Sequence, residues 1–278
     1  MKGFVFAQQF SEFSEICGTS LVNDTIQQLK TSDITEIYYN GTEKFSGVIN
    51  ASFDSVREQL GEDWLAVYAG SISRQSPQEL RNRAIQSKAD YAISLACSST
   101  PWEELTVLTD HTGLIEGTEH NPSPENTKTN MCFSGMIWVG NSDFNPDFIN
   151  SVNKLSGCFA FLIQGYWKSI RNRESYLLAS YNILMREVLP WPHTVIPETG
   201  RIIKSTIPDS VLIKGVVWVD TECLIEECST LENCILLKGV SVGNNCNLRN
   251  CLLLPGISVK SNTTRHDKYL SIIGDENG

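Results

Sequence analysis

The chain has 278 residues, 41% of them hydrophobic, a net charge of −10 and an isoelectric point near 4.9. That length suits one large domain or two unequal ones with a sizeable core. The acidic balance, with no clustered Lys and Arg, argues against a nucleic-acid partner. No stretch approaches the roughly 20 apolar residues that cross a bilayer. The apolar run in Met1-Lys2-Gly3-Phe4-Val5-Phe6-Ala7 is too short for the centre of a signal peptide. A cytoplasmic protein without membrane contact is therefore expected.

In chain order, Gly3–Ala7 reads as a short buried strand. Ser20–Lys30 places Leu21, Ile26 and Leu29 on one helical face and is followed by a strand over Ile34–Asn40. Phe53, Val56 and Leu60 mark a second helix over Ser52–Leu60, and Trp64–Ala69 is a buried strand closed by Gly70. A helix over Gln78–Lys88 leads to a strand over Ala89–Ala96. A turn-rich piece with Pro122 and Pro124 precedes the strand Gly135–Val139, and Ser175–Val188 is a long helix stopped by Pro190 and Pro192. Strands alternating with helices predict a mostly parallel sheet covered on both faces. Ligands of such sheets lie beyond the carboxyl ends of the strands.

From Ile207 the pattern changes. Ile207, Ile213, Val219, Ile225, Leu231 and Leu237 are spaced six apart, with small or β-branched Val211, Val217, Cys223 and Ser229 two residues before the next aliphatic. After a one-residue slip the beat resumes at Val242, through Cys246 and Leu248 to Leu253-Leu254-Pro255-Gly256. A period of six fits neither a helix nor a simple strand. It predicts a hexapeptide solenoid with three hexads per triangular coil, where a β-rich sandwich with chance spacing is the alternative. Five of the nine cysteines (Cys223, Cys228, Cys234, Cys246 and Cys251) fall in this region. There a reduced thiol serves as a small apolar filler of inward positions.

An α/β unit followed by a hexapeptide solenoid, in this order of passages, resembles the sugar-nucleotidyltransferases (nucleoside-diphosphate-sugar pyrophosphorylases) that carry a left-handed β-helix. Met1–Ala7 is similar to that family's first strand. Gly18-Thr19-Ser20-Leu21-Val22 through Ile37 resembles its "K-P-L-I…L…G-I-x-x-I" helix and strand. Gly165-Tyr166-Trp167 through Tyr176-Leu177 resembles "G-Y-W-x-D-I-G-T-P-x-x-Y-L", and Asn233-Cys234 through Gly256 resembles the coil repeats. The resemblance implies a Rossmann-like nucleotidyltransferase domain over 1–192, a left-handed β-helix over 193–262 and a polar tail over 263–278, with Tyr269, Leu270, Ile272 and Ile273 covering the last coil.

The departures lie where the chemistry should be. Members of that family join a nucleoside triphosphate to a sugar 1-phosphate, which requires cradled phosphates, a divalent cation on carboxylates, and cations against developing charge. Where the family has "A-A-G-x-G-T-R-L…P-K-P", this chain reads Ala7-Gln8-Gln9-Phe10-Ser11-Glu12-Phe13-Ser14-Glu15-Ile16-Cys17. It has no glycine, Arg or Lys there. The "G-D" pair that offers a carboxylate to Mg²⁺ reads Gly70-Ser71, and the second metal-binding Asp, in "Y-W-x-D-I-G", reads Ser169. The Lys of "E-K-P" corresponds to Asn121. A hydroxyl is a weak substitute for a carboxylate toward a hard cation.

The expectation is a pseudoenzyme without catalytic or metal-ligating residues and without a cofactor. Its remnant pocket comprises Ala7, Gln8, Gln9, Gly70, Ser71, Asn121, Gly135 and Ser169, and it senses a sugar phosphate or nucleotide sugar. It would act as a regulatory or assembly subunit in a homo- or hetero-oligomer, an active nucleotidyltransferase being one candidate partner. The alternative is a divergent pyrophosphorylase holding Mg²⁺ through Asp54, Asp63 or another carboxylate. A further one is an acyltransferase using His193 as base. Glu103-Glu104 and Glu226-Glu227 read as solvated faces, Trp138, Tyr166 and Trp167 as sheet-edge packing, and Cys17 lacks a neighbouring activating His.

Overall fold

A computed structural model describes residues 1–7, 14–140, 144–145, 157–192 and 194–273, residues 267–273 through their backbone alone. Contacts divide the chain into two compact units, Met1–Ser14 with Ser20–Ser169, and Glu15–Thr19 with Ile170–Gly278. The elements run β1 (Lys2–Ala7), β2 (Glu15–Ile16), β3 (Thr19–Ser20), α1 (Leu21–Thr31), β4 (Glu36–Tyr39), β5 (Ile49–Asn50), α2 (Phe53–Leu60), β6 (Trp64–Ala69), β7 (Ser71–Ser73) and α3 (Pro77–Gln86). There follow β8 (Tyr91–Cys97), a 3-10 turn, β9 (Leu105–Thr109), β10 (Ile115–His120), β11 (Met131–Val139), β12 (Cys158–Leu162) and β13 (Trp167–Ser169). Among the described residues, no helix is long and apolar enough to cross a membrane.

The first unit is built on a nine-stranded sheet in the order β10-β9-β11-β6-β1-β4-β5, with β8 beside β11 and β12 beside β8. β1 is apolar from Gly3 to Ala7 because it is covered on both sides. Phe4 and Phe6 join Phe53, Val56 and Leu60 of α2 in one layer. Val5 joins Ile26 and Leu29 of α1 and Leu80 and Ala84 of α3 in the other. Each fully buried Leu or Phe contributes about 1.5–3 kcal/mol against its exposed state. Helix starts are fixed locally: Ser20 Oγ accepts from Asn23 N–H at 3.1 Å, and Ser76 Oγ from Glu79 N–H at 3.3 Å ahead of Pro77, the side-chain caps expected of serine at these positions.

The sheet is mixed rather than mostly parallel. β1 runs parallel to β4 and β6, and β12 parallel to β8, but β11 is antiparallel to both β6 and β8. The cause is the segment after β8. It forms the antiparallel hairpin β9–β10 instead of a crossover helix, so the chain re-enters the sheet reversed.

The second unit holds α4 (Arg173–Leu184), β14 (Arg201–Ile203), β15 (Leu212–Val219), β16 (Leu224–Ile225), β17 (Thr230–Leu236), β18 (Ser241–Val242), β19 (Asn247–Leu253), β20 (Ser258–Val259) and β21 (Thr264–Ile273). It begins ahead of residue 193, because α4 packs on β15, β17 and β21. A capping box between Asn172 and Ser175 starts that helix. β14-β15-β17-β19-β21 stack in parallel as one face, and β16-β18-β20 as a second, which is the left-handed parallel β-helix. Residues 264–273 continue the stack as β21, paired to β19, so the expected polar tail is strand over these residues. The side chains of Tyr269, Leu270, Ile272 and Ile273 lie outside the described ones.

The coil length departs from three hexads. The β15–β17 ladder opens at eighteen, Ile213 with Leu231, and shifts to seventeen from Val217 with Cys234. Thr230 then pairs with Asn247 and Asn247 with Thr264, seventeen residues apart, so the turns from Val219 to Leu236 and from Leu236 to Leu253 are two hexads and a pentad. The inward aliphatics are Val219, Ile225, Leu231, Leu236, Val242, Leu248, Leu253 and Val259. The slip thus falls between Leu231 and Leu236, one residue before the expected Leu237, and recurs between Leu248 and Leu253. Left-handed backbone turns the corners in three ladders: Gly215, Asn233 and Asn250; Glu222, Gly239 and Gly256; Cys228, Asn245 and Asn262. Asn tolerates this region better than most residues. Asn233 also accepts from Val216 N–H at 3.2 Å and donates to Asn250 Oδ1 at 3.2 Å. A side chain at Gly215 would collide with Asn233 Oδ1, 2.0 Å away.

All nine cysteines are free. Cys223, Cys234, Cys246 and Cys251 are buried in the solenoid core, whereas Cys228, a corner residue, is exposed. Glu104 is likewise not a solvated face: it is only 5% exposed. Glu226 accepts from Asn244 N–H on the next coil at 3.0 Å.

The register yields a paired test. Leu236→Ala should cost about 2–5 kcal/mol of unfolding free energy, the usual range for a buried Leu, and Leu237→Ala clearly less, measured by urea denaturation. Equal costs would return the inward position to Leu237.

Candidate functional site

The site is assembled at the carboxyl ends of β1 and β6. Ala7 ends β1 in register with Ala69 and donates its N–H to Asn40 Oδ1 at 2.7 Å. Gly70 N–H donates to Tyr68 O at 3.0 Å, turning the chain out of β6. The chain then forms β7, which pairs antiparallel with β13: Ser71 faces Ser169, Ile72 faces Lys168, and Ser73 faces Trp167. Ser71 and Ser169, the two positions where the resemblance implies carboxylates, are almost a hundred residues apart in sequence and are direct strand partners.

Gly135 belongs to the same place. It lies where the β11–β8 ladder shifts register between Phe133 and Ile137. Its backbone is left-handed (φ +100°), and a Cβ there would stand 3.3 Å from Tyr68 O and 3.6 Å from Ser71 Oγ, so glycine suits both the conformation and the approach. Asn121 is set apart, following edge strand β10 in a left-handed conformation, with its N–H on Glu104 O at 3.1 Å. Cys132 pairs with Thr106, and Thr106 with Glu119. This puts the end of β10 two strands from β11, about 10 Å across by strand spacing. Gln8 and Gln9 lie outside the described residues.

A buried network around this point escaped sequence reading. Gln75 Nε2 donates to Leu95 O and Ile163 O, both at 2.9 Å. Ser134 Oγ donates to Gln75 Oε1 at 2.6 Å and lies 2.7 Å from Ser94 Oγ. Ser94 in turn accepts from Met136 N–H at 3.1 Å. All three side chains are buried, and together they bridge the break in the β8–β11 ladder beside Gly135. Nearby, Arg74 grips Asp24 with two hydrogen bonds of 2.8 and 3.0 Å. Burial pushes the Asp24 carboxyl above its ordinary range, against the opposing pull of Arg74.

Among the described residues, no group of three His, Cys, Asp or Glu side chains is placed to share a metal ion. Ser71 and Ser169 offer only neutral hydroxyls, a donor set that does not fit Mg²⁺. Of the alternative carboxylates, Asp54 is exposed in the first turn of α2. Asp63 precedes β6, at the opposite end of that strand from Gly70. It is bound by Arg81 at 2.7 Å through both oxygens and by Trp138 Nε1 at 2.9 Å. His193 lies outside the described residues. Cys17 is buried in the second unit, and burial pushes its thiol up to about 12, so it is not a thiolate at neutral pH.

Two comparisons bear on this arrangement. Residues 193–265 match the family described as GlmU-like, C-terminal hexapeptide. A solved structure described as a glucose-1-phosphate thymidylyltransferase of Bacillus anthracis in complex with a sucrose matches with a TM-score of 0.51. That match covers 64% of this chain and 93% of that one, at 13% identity, and shows a shared fold. Among curated proteins no sequence match is found. The chain therefore combines a nucleotidyltransferase-like fold with a GlmU-like hexapeptide domain.

The Asp63 cluster carries a pH prediction. The Arg81 hydrogen bonds, aided by Trp138 and opposed by burial, hold its carboxyl below the ordinary range. A carboxyl lowered on folding contributes stability at neutral pH that is lost as pH falls through its folded value. Melting temperatures from pH 7 to pH 2 should fall less steeply for Asp63→Asn than for the unmodified chain; superimposable slopes would remove the ion pair from the acid response.

Proposed function

We propose that this chain is a non-catalytic sugar-nucleotidyltransferase-like protein that binds its ligand without transferring a nucleotidyl group and serves as a regulatory or assembly subunit. The fold likeness and the GlmU-like hexapeptide match together support a place in the sugar-nucleotidyltransferase family. The observation that carries the reading is the Ser71–Ser169 pair. The pairing brings together the two positions where the family resemblance puts Mg²⁺-binding carboxylates, and supplies two neutral hydroxyls. Nucleotidyl transfer relies on a cation and fixed positive groups to stabilise charge on the phosphates. Arg74, the nearest Arg in sequence to Ser71, is committed to Asp24.

A divergent NDP-sugar pyrophosphorylase is the second reading, and it accommodates the same two likenesses. It would need a metal on carboxylates placed elsewhere. One assay separates the two. Incubation of the full chain with glucose 1-phosphate, each nucleoside triphosphate in turn and Mg²⁺ is expected to release no pyrophosphate above a heat-killed control. Steady release above that control selects the pyrophosphorylase.

The subunit role requires an assembly. Solenoid ends leave strand edges that are capped or paired, and β21 ends the face formed by β14-β15-β17-β19-β21. Sedimentation at micromolar concentration should give a species heavier than the 31.0 kDa chain, or a complex formed on adding the native partner. A monomer recovered without any partner from native lysate would sink the subunit role.

A further inference from the structure

We infer that the hairpin β2–β3 is a strap: it lies within the first unit by sequence and within the second by packing, and its anchoring makes the two units unfold as one. The strap is independent of whether the chain transfers a nucleotidyl group.

The chain leaves the first unit after Ser14, contributes Glu15–Thr19 to the second, and returns to the first at Ser20. Five residues cannot hold a conformation of their own, so their surroundings must fix it. Cys17 and Gly18 turn between β2 and β3 with left-handed backbone, φ +45° and +76°, as the tightest two-residue hairpin loop requires. A side chain in that region is uncommon and persists where neighbours over-determine it. They do so here, since Ile16, Cys17 and Thr19 are at most 3% exposed.

The anchors all come from the second unit. Trp191 Nε1 and Thr194 Oγ1 both donate to Cys17 O, at 3.2 and 3.3 Å, and Thr19 Oγ1 donates to Pro192 O at 2.6 Å. The carbonyl of the first loop residue takes no part in the ladder of such a hairpin, so it is free for these two donors. At the tip, a Cβ on Gly18 would stand 2.9 Å from Lys204 Nζ and 3.2 Å from Trp218 Cη2. Lys204, just after β14, lies over the Trp218 ring of β15, 4.3 Å from its centroid. The tip is thus seated on the start of the solenoid.

The base of the hairpin is tied as firmly to the first unit. Leu21 N–H donates to Ser14 O at 2.9 Å, and Ser20 Oγ caps α1 through Asn23 N–H. Thr19, anchored on Pro192, is the residue immediately before that cap. Boundaries between units ordinarily fall in exposed linkers crossed by few contacts, which let each side open alone. At Thr19–Ser20 the boundary is buried and hydrogen-bonded instead. Unfolding of the second unit strips Ile16, Cys17 and Thr19 of their cover, and unfolding of α1 releases the closed base that holds the hairpin in shape. Each loss weakens the other unit, the condition for a single cooperative transition.

The test is hydrogen–deuterium exchange of the full chain across a urea series, read by mass spectrometry. Peptides covering β1 and β6 report the first unit, and those covering β17 and β19 the second. In the unmodified chain the two sets should share one urea midpoint. In Thr19→Val combined with Trp191→Phe, which deletes two anchoring donors, the midpoints should separate by roughly 0.5 M, from the worth of a hydrogen bond and the usual urea slope. Gly18→Ala, which strains the turn and crowds Lys204, is a second route to the same separation and decides the matter where the double variant does not fold. Thr31→Val, which removes the exposed bond of Thr31 Oγ1 to Gln28 O, should leave the midpoints together. Separate midpoints in the unmodified chain, coincident midpoints in every strap variant that folds, or separation in Thr31→Val would each overturn the inference.

Discussion

A coil of the solenoid must bring its chain back one strand spacing higher with the same side-chain set pointing inward. With hexads alone a coil closes in eighteen residues; here it closes in seventeen, as the pairing of Thr230 with Asn247 and Ser241 with Ser258 requires. The missing residue is absorbed on one side of each coil, between Leu231 and Leu236 and again between Leu248 and Leu253. From β17 to β19 both strands make the same omission and aliphatic stacks on aliphatic, whereas β15, which lacks it, meets β17 through a register shift between Lys214 and Val217. The corners bear the conformational cost, and Asn233 over Asn250 and Asn245 over Asn262 offset it with side-chain hydrogen bonds along the stack. Buried Cys234 and Cys251, one coil apart, fit the same constraint, small enough to repeat at an inward position without strain.

In the first unit the corresponding constraint is β11. Entering antiparallel between β6 and β8, it must break register near Gly135, and a broken ladder in a buried sheet leaves polar groups in need of partners. Ser94 in β8, Ser134 in β11 and Gln75 in the connection between β7 and α3 meet that need. The break is also where Gly135 comes closest to Ser71, so the irregularity that the network repairs is the one that shapes the site.

Continuous apolar runs bounded by a turn were legible. Trp64–Ala69 followed by Gly70 came out with its true bounds, because a central strand covered on both faces has no other reading. The hairpin β9–β10 was not legible. Its strand Ile115–His120 alternates poorly, and the ladder to β9 shifts register between Ile115 and Gly117. The solenoid period was plain, but its slip was misplaced by one residue. Leu236-Leu237 and Leu252-Leu253-Leu254 put aliphatics at adjacent positions, and composition cannot choose which one turns inward. Ser71 and Ser169 could each be found by resemblance, but their opposition in one ribbon could not. The Gln75–Ser134 and Ser134–Ser94 hydrogen bonds join residues 59 and 40 apart, with no spacing signal.

The scaffold of the site and its chemistry are separable in this chain. Ser71 and Ser169 are positioned by backbone pairing of β7 with β13, and Ser71 also by the approach of Gly135. The Asp24–Arg74 pair fixes the start of α1 to the residue that follows β7. None of these interactions depends on a charge at position 71 or 169, and none needs a bound cation to complete it. The choice of hydroxyl or carboxylate at these positions therefore bears on which ligands the place can hold, while backbone pairing sets where it is. Fold likeness to a transferase and neutral hydroxyls at positions 71 and 169 are then compatible: the first is a property of the sheet, the second of two side chains at its rim.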